Sequence, residues 1–318
     1  ATGAYAIFRL LHLSGKLSWL LWLYNKVGIF RAVSEWGYRI VAQNRKSASK
    51  VTNTAFGKGE SSLSPLNYAV TAMLFTKGLG LIYLSAFIAL LVQYHGLLGS
   101  EGILPISNAM SSVASQIKSG GFFAFPTLFW ISSSDTFALS VIWGGIIASL
   151  AIIVGVVPGL SLVVAWLSYL SFVKVGSYFY SFQWDILLLE VGFLAIFLTP
   201  WQWLSSPSSA KPPSRLVVFV CRVLLFRFML TSGLVKLVSN DSLWWDLKAL
   251  TVHYQTQPLP HAISWYAHNL SGAIHKLSCF IMFVIELAIP FLFLLTRRFR
   301  QLGGLATIAL MTVIIATG

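Results

Sequence analysis

Two carboxylates, Asp185 and Glu190, sit five residues apart in the apolar stretch SFQWDILLLEVGF, residues 181–193. Paired carboxylates do general acid–base work when they are held together, because one is then forced to keep its proton while the other stays ionised. The spacing opposes that use on a helix: five residues advance about 500°, so the two side chains point about 140° apart. Asp185, close behind the turn after Tyr180, is expected at a helix N-terminus, where the backbone dipole favours a negative charge. Glu190 lies more than a turn deeper and needs a cation.

Four basic residues fall in neighbouring apolar segments, Lys174, Arg222, Arg227 and Lys236, with one more acid, Glu286. A charge at the centre of a membrane helix costs about 2.5–3.5 kcal/mol on insertion scales, so mutual pairing inside a bundle is the economical arrangement. In CRVLLFRFMLTSGLVK the helical repeat places Arg222 and Lys236 on roughly one face and Arg227 on another. The expected pairs are Glu190 with Arg222 or Arg227, and Asp185 with Lys236. These groups read as ion pairs that fix helix register, with a proton-relay or transport role for Glu190 as the rival reading. No catalytic residue is assigned.

His253, His261, His268 and His275 recur in TVHYQTQPLPHAISWYAHNLSGAIH at intervals of seven or eight. Pro258 and Pro260 interrupt any helix that would align them, and neither HxxxH nor HExxH spacing occurs, so no metal site is assigned. The bland reading is an interfacial loop rich in Trp, Tyr and His. Within it Trp244, Trp245, Asp246, His253, Tyr254, Gln257 and Pro258 form a candidate partner-contact stretch. No phosphate-cradling, nucleophile-elbow or CxxC pattern appears, and the two cysteines, Cys221 and Cys279, lie apart in apolar segments. No cofactor is implied beyond bound lipid or pigment, and nucleic acid is not a predicted partner.

The elements that must hold these groups are membrane helices. Of the 318 residues, 57% are hydrophobic and only 10% charged, with a mean hydropathy of +0.77. A soluble domain carries about 25% charged residues, so the chain is an all-α, polytopic transmembrane bundle. Six to seven spans are predicted, near 68–92, 136–157, 159–180, 185–204, 216–238, 277–295 and 302–318. Pro158-Gly159 marks a tight hairpin between two of them. Residues 1–62 hold nine Lys or Arg against two Glu; they read as a basic amphipathic arm lying on the membrane, followed by a polar linker. The transmembrane domain is then 63–318. The start at Ala1 and the end inside LATIALMTVIIATG predict a processed or partial chain.

The net charge of +13 is first a topology signal. With the N-terminus on side one, that side receives the basic arm, the 205–215 loop with Lys211 and Arg215, and the RRFR cluster at 297–300. Side two receives 93–135 and 239–276, where charges nearly balance. The positive-inside rule therefore puts side one in the cytosol, or in the stroma or matrix of an organelle. Two sequons, at Asn240 and Asn269, both fall on side two and are glycosylation acceptors if that side is the lumen of the endoplasmic reticulum.

Several blocks, GLLGSEGILP, YSFQWDILLLEVGFLAIFLTP, RVLLFRFMLTSGLVKL and WWDLKALTVHYQTQPLPHAISWYAHNL, resemble in order the lipase maturation factors, polytopic proteins of the endoplasmic reticulum membrane. The resemblance runs from about residue 70 to 318 and excludes the basic arm. It implies a non-enzymatic membrane chaperone or assembly factor that helps secreted lipases fold, with lipase clients and membrane lipid as partners. Family members continue into a large lumenal domain beyond this stretch. The alternative is an accessory scaffold subunit of a large thylakoid or inner mitochondrial membrane complex, suggested by the Arg- and Lys-rich start.

Overall fold

The computed structural model describes residues 4–5, 8–9, 18–43, 68–117, 121–205, 212–257 and 262–317. Among these residues every regular element is helical apart from one isolated antiparallel bridge, Val156 to Leu204. The longer helices are α1 (Ser18–Lys26), α2 (Gly28–Gln43), α3 (Ala69–Leu97), α4 (Ile106–Gln116), α5 (Asp135–Val154), α6 (Pro158–Gly176), α7 (Gln183–Leu198), α8 (Arg215–Val238), α9 (Ala249–Thr256), α10 (Ala262–His268), α11 (Gly272–Phe283) and α12 (Arg297–Thr317). Six helical stretches are long and apolar enough to cross a membrane: 69–97, 135–154, 158–179, 215–238, 272–294 and 297–317.

The seventh expected span is shorter than predicted but still returns the chain to the end of the bundle it came from, since the Val156–Leu204 bridge sets its far end beside the turn between α5 and α6. It is α7, which stops at Leu198 because Thr199 precedes Pro200 and is pushed to an extended conformation, φ −86° and ψ 137°. Sixteen residues rise about 24 Å, less than the roughly 30 Å of a hydrocarbon core.

The chain forms two compact units. The first, Leu66–Ser232, is built on α3, α5, α6 and α7. These helices are apolar all round, as helices in lipid are. In lipid their association depends on close packing and internal hydrogen bonds rather than on water exclusion. Tyr83 and Phe87 of α3 meet Tyr169 of α6 edge to face at 5.9 and 5.8 Å. Gly192 of α7 makes this approach feasible, since a Cβ there would lie 2.0 Å from the Tyr83 hydroxyl. That hydroxyl donates to the Leu188 carbonyl at 3.2 Å. Ser134 caps α5 by accepting from Phe137 N–H, and Gly155 ends it in the left-handed region at φ 94°. Pro158 then opens α6, so the predicted hairpin is present.

The second unit contains the described N-terminal residues and Gly233–Gly318. In it α1 and α2 form a helical pair with Trp22, Val33 and Trp36 exposed. A smaller core of Cys279, Met282 and Phe283 packs against Leu237, Trp244 and Leu250. The span expected at 277–295 is not a regular helix. It runs as α11, then a π turn over Val284–Ala288, then a 3-10 stretch over Ile289–Leu294. Pro290 accounts for the change: it has no N–H to give to the carbonyl of Glu286, and its ring crowds that carbonyl, so the α repeat cannot continue.

Candidate functional site

Asp185 and Glu190 engage different helices. Asp185, in the first turn of α7, is buried at 3% exposure and accepts a 2.5 Å hydrogen bond from the Tyr169 hydroxyl of α6. The Tyr180 ring packs edge to face on Tyr169 at 6.2 Å. The second Asp185 oxygen, Oδ2, is buried with no hydrogen-bond partner. Glu190 accepts instead from the Arg227 guanidinium of α8, so of the two pairings expected for it the one with Arg227 is present. These side chains are not deeply buried, at 35% and 55% exposure.

The expected Asp185–Lys236 pair gives way to another. Lys236, in the last turn of α8, reaches both carboxylate oxygens of Glu286, at 2.7 and 2.6 Å. Glu286 sits in the π turn and its side chain is 4% exposed. The ammonium also lies 5.6 Å from the centre of the Trp244 ring. The ends of α7 and α8 do not supply the pair; the partner of Lys236 lies fifty residues further along the chain. The one local signal was Pro290, four residues beyond Glu286.

Arg222, the alternative partner for Glu190, donates to the Tyr68 hydroxyl at 3.1 Å, and its guanidinium lies 5.9 Å from that ring centre. Lys174 lies 5.9 Å from the centre of the Phe125 ring. Tyr68, Tyr169 and Tyr180 were not foreseen, because a tyrosine in an apolar run leaves no periodic mark in the sequence.

In the 239–276 stretch Trp244 is half-buried against Phe283 at 6.1 Å, while Trp245 is exposed. Asp246 pairs with Lys248 at 3.1 Å on the surface, where such a pair contributes little. His253 stacks edge to face on Tyr254, which approaches the His275 ring at 5.9 Å. Gln255 bonds His268 at 3.0 Å, and the amide of Gln257 is buried with neither end satisfied. Pro258 and His261 lie outside the described residues. Among the described residues no three His, Cys, Asp or Glu side chains converge on a metal-sized site. Asn240 and Asn269 are both exposed; Asn240 has φ 57°, and Asn269 donates to the Trp265 carbonyl at 2.7 Å.

The sequence model of the lipase maturation factor transmembrane domain matches residues 70–318. Lipase maturation factor 2 of Xenopus laevis is 38% identical over 259 residues, covering 77% of this chain and 36% of that protein. Lipase maturation factor 2 of Mus musculus is 38% identical over 268 residues, 78% of this chain and 38% of that protein. Lipase maturation factor 1 of Homo sapiens is 33% identical over 257 residues, 78% of this chain and 45% of that protein. The chain thus spans less than half the length of these relatives. None of them lends support to a photosynthetic or respiratory scaffold. No solved structure matches the chain at a significant level.

Proposed function

Because this chain belongs to the lipase maturation factor family, we propose that it supplies the membrane-embedded part of a factor that assists the folding of secreted lipases. It does so without a chemical step of its own, in the endoplasmic reticulum membrane, with the N-terminus cytosolic. The observation that carries this reading is the continuous similarity across residues 70–318, which includes the 239–276 stretch as well as the spans. That stretch offers exposed Trp245, Trp265 and Tyr266 beside a surface ion pair, a composition suited to protein contact. The buried Lys236–Glu286 pair anchors its start against the helix that follows it.

Deleting the gene and measuring the activity of secreted lipase tests the reading. Activity is expected to fall and to return when the wild-type gene is restored, while lipase messenger and protein synthesis stay constant. Unchanged secreted activity, with loss of the protein verified, removes it.

A further inference from the structure

The first unit contains a groove of about 440 Å³ between the start of α3, the second half of α7 and the first half of α8. Its wall is almost wholly apolar, including Phe75, Leu194, Leu198 and Leu225. Arg222 is the one charged residue in it, beside Tyr68. From Arg215 to Phe228 no residue of α8 is fully buried, although the stretch is strongly apolar, so this half of the helix leaves its partners and the groove opens. Phe75 and Leu225 on the lining are themselves exposed.

Charge and length together say what fits. Arg222 gives one bond to Tyr68, and a guanidinium carries five N–H donors in a planar fork. Among the described residues no carboxylate pairs with it; Glu190 meets Arg227 and Glu286 meets Lys236 instead. The fork matches the two oxygens of a phosphate. Along α8 the lining runs from Val218 to Phe228, eleven residues that rise about 15 Å, half the roughly 30 Å hydrocarbon core and so the depth of one leaflet. A helical side chain leans toward its own N-terminus, which carries the Arg222 head toward Tyr68 and the membrane surface. On the positive-inside assignment that surface is cytosolic.

We propose that this groove binds one acyl chain of a phospholipid from the cytosolic leaflet, with Arg222 holding the phosphate. The head group carries net negative charge, since no described acid lines the groove to receive a choline or other cation. The site is independent of any lipase contact.

The test uses the full chain in phosphatidylcholine vesicles containing phosphatidylinositol with a diazirine in one acyl chain. Parallel samples carry a diazirine phosphatidylcholine or a diazirine fatty acid. Cross-links from phosphatidylinositol are expected on peptides of α3, α7 and α8 that line the groove. Arg222→Gln should lower them about tenfold, the loss of one charge-assisted interaction. Arg222→Lys, which keeps the charge but loses the fork, should lower them less. Leu225→Trp, which fills the groove from an exposed position, should remove them while the protein elutes as wild type on size exclusion, so the test survives misfolding of the Arg222 variants. Labelling elsewhere, or labelling unmoved by Leu225→Trp, overturns the proposal. Equal labelling by phosphatidylcholine overturns the anionic head group, and equal, Arg222-dependent labelling by the fatty acid overturns the phosphate.

Discussion

Lys236 places its ammonium within hydrogen-bonding distance of both oxygens of Glu286, and the carboxylate it meets is almost wholly enclosed. The Glu286 side chain is 4% exposed and that of Lys236 19%, so the carboxylate depends on its partner more than on solvent. Removing one partner of such a pair costs about 3–5 kcal/mol, mainly because the other is left charged in a poor solvent, whereas replacing both by apolar residues of similar volume is often close to neutral. Lys236→Met and Glu286→Leu alone should therefore lower the thermal unfolding temperature in detergent sharply. Lys236→Met combined with Glu286→Leu should recover most of the loss. Additive losses in the double variant would show that the pair is not coupled.

Gly192 and Tyr83 give a prediction of a different kind. A methyl group at 192 would meet the Tyr83 hydroxyl at 2.0 Å, so Gly192→Ala should destabilise by about 1–3 kcal/mol through overpacking. Tyr83→Phe removes the obstructing oxygen and forfeits its bond to the Leu188 carbonyl, about 1 kcal/mol. The combination should be more stable than Gly192→Ala alone, read by unfolding of purified protein. A combined loss equal to the sum of the two would place the clash elsewhere.

Much of this fold was readable because a membrane span is written in length and apolarity. The predicted edges of the span at 216–238 and the hairpin at Pro158-Gly159 lie within a residue or two of α8 and the start of α6. Asp185 and Glu190 also diverge as the helical repeat requires, their side chains meeting Tyr169 and Arg227 on different helices. The irregular places were harder. Thr199 ends α7 early and Pro290 converts an expected straight span into a π turn and a 3-10 stretch, effects of proline on backbone that hydropathy does not register. The tyrosine that holds Asp185 and the acid that holds Lys236 are choices of packing between distant segments. A single sequence carries no record of them.

Glu190 and Arg227 test whether a lipid-exposed pair behaves as the buried one does. Glu190 is the eighth residue of α7, midway along it, so an unpartnered charge at either position should cost about 2.5–3.5 kcal/mol in a bilayer. Glu190→Gln is expected to reduce steady-state protein in cells, and Arg227→Gln likewise. The exchange Glu190→Arg with Arg227→Glu should restore it, because geometry and pairing survive the swap. Protein present at wild-type level but inactive in Glu190→Gln would instead point to chemistry at the carboxylate.

Asn240 and Asn269 follow α8 and α10 and are both exposed, on the side opposite the basic clusters, which is the lumen if the proposed endoplasmic reticulum address holds. In cells, endoglycosidase treatment should increase the protein's mobility on a gel. Asn240→Gln and Asn269→Gln should each remove one step of that shift, and the double variant should remove all of it. Asn240 is the weaker acceptor of the two: it is already held at φ 57°, and the next residue, Asp241, is fixed by accepting from Leu243 N–H at 2.9 Å. Partial occupancy is therefore expected first at Asn240. Sugar on neither asparagine, in a protein recovered from the endoplasmic reticulum, would invert the topology and place the 239–276 stretch in the cytosol.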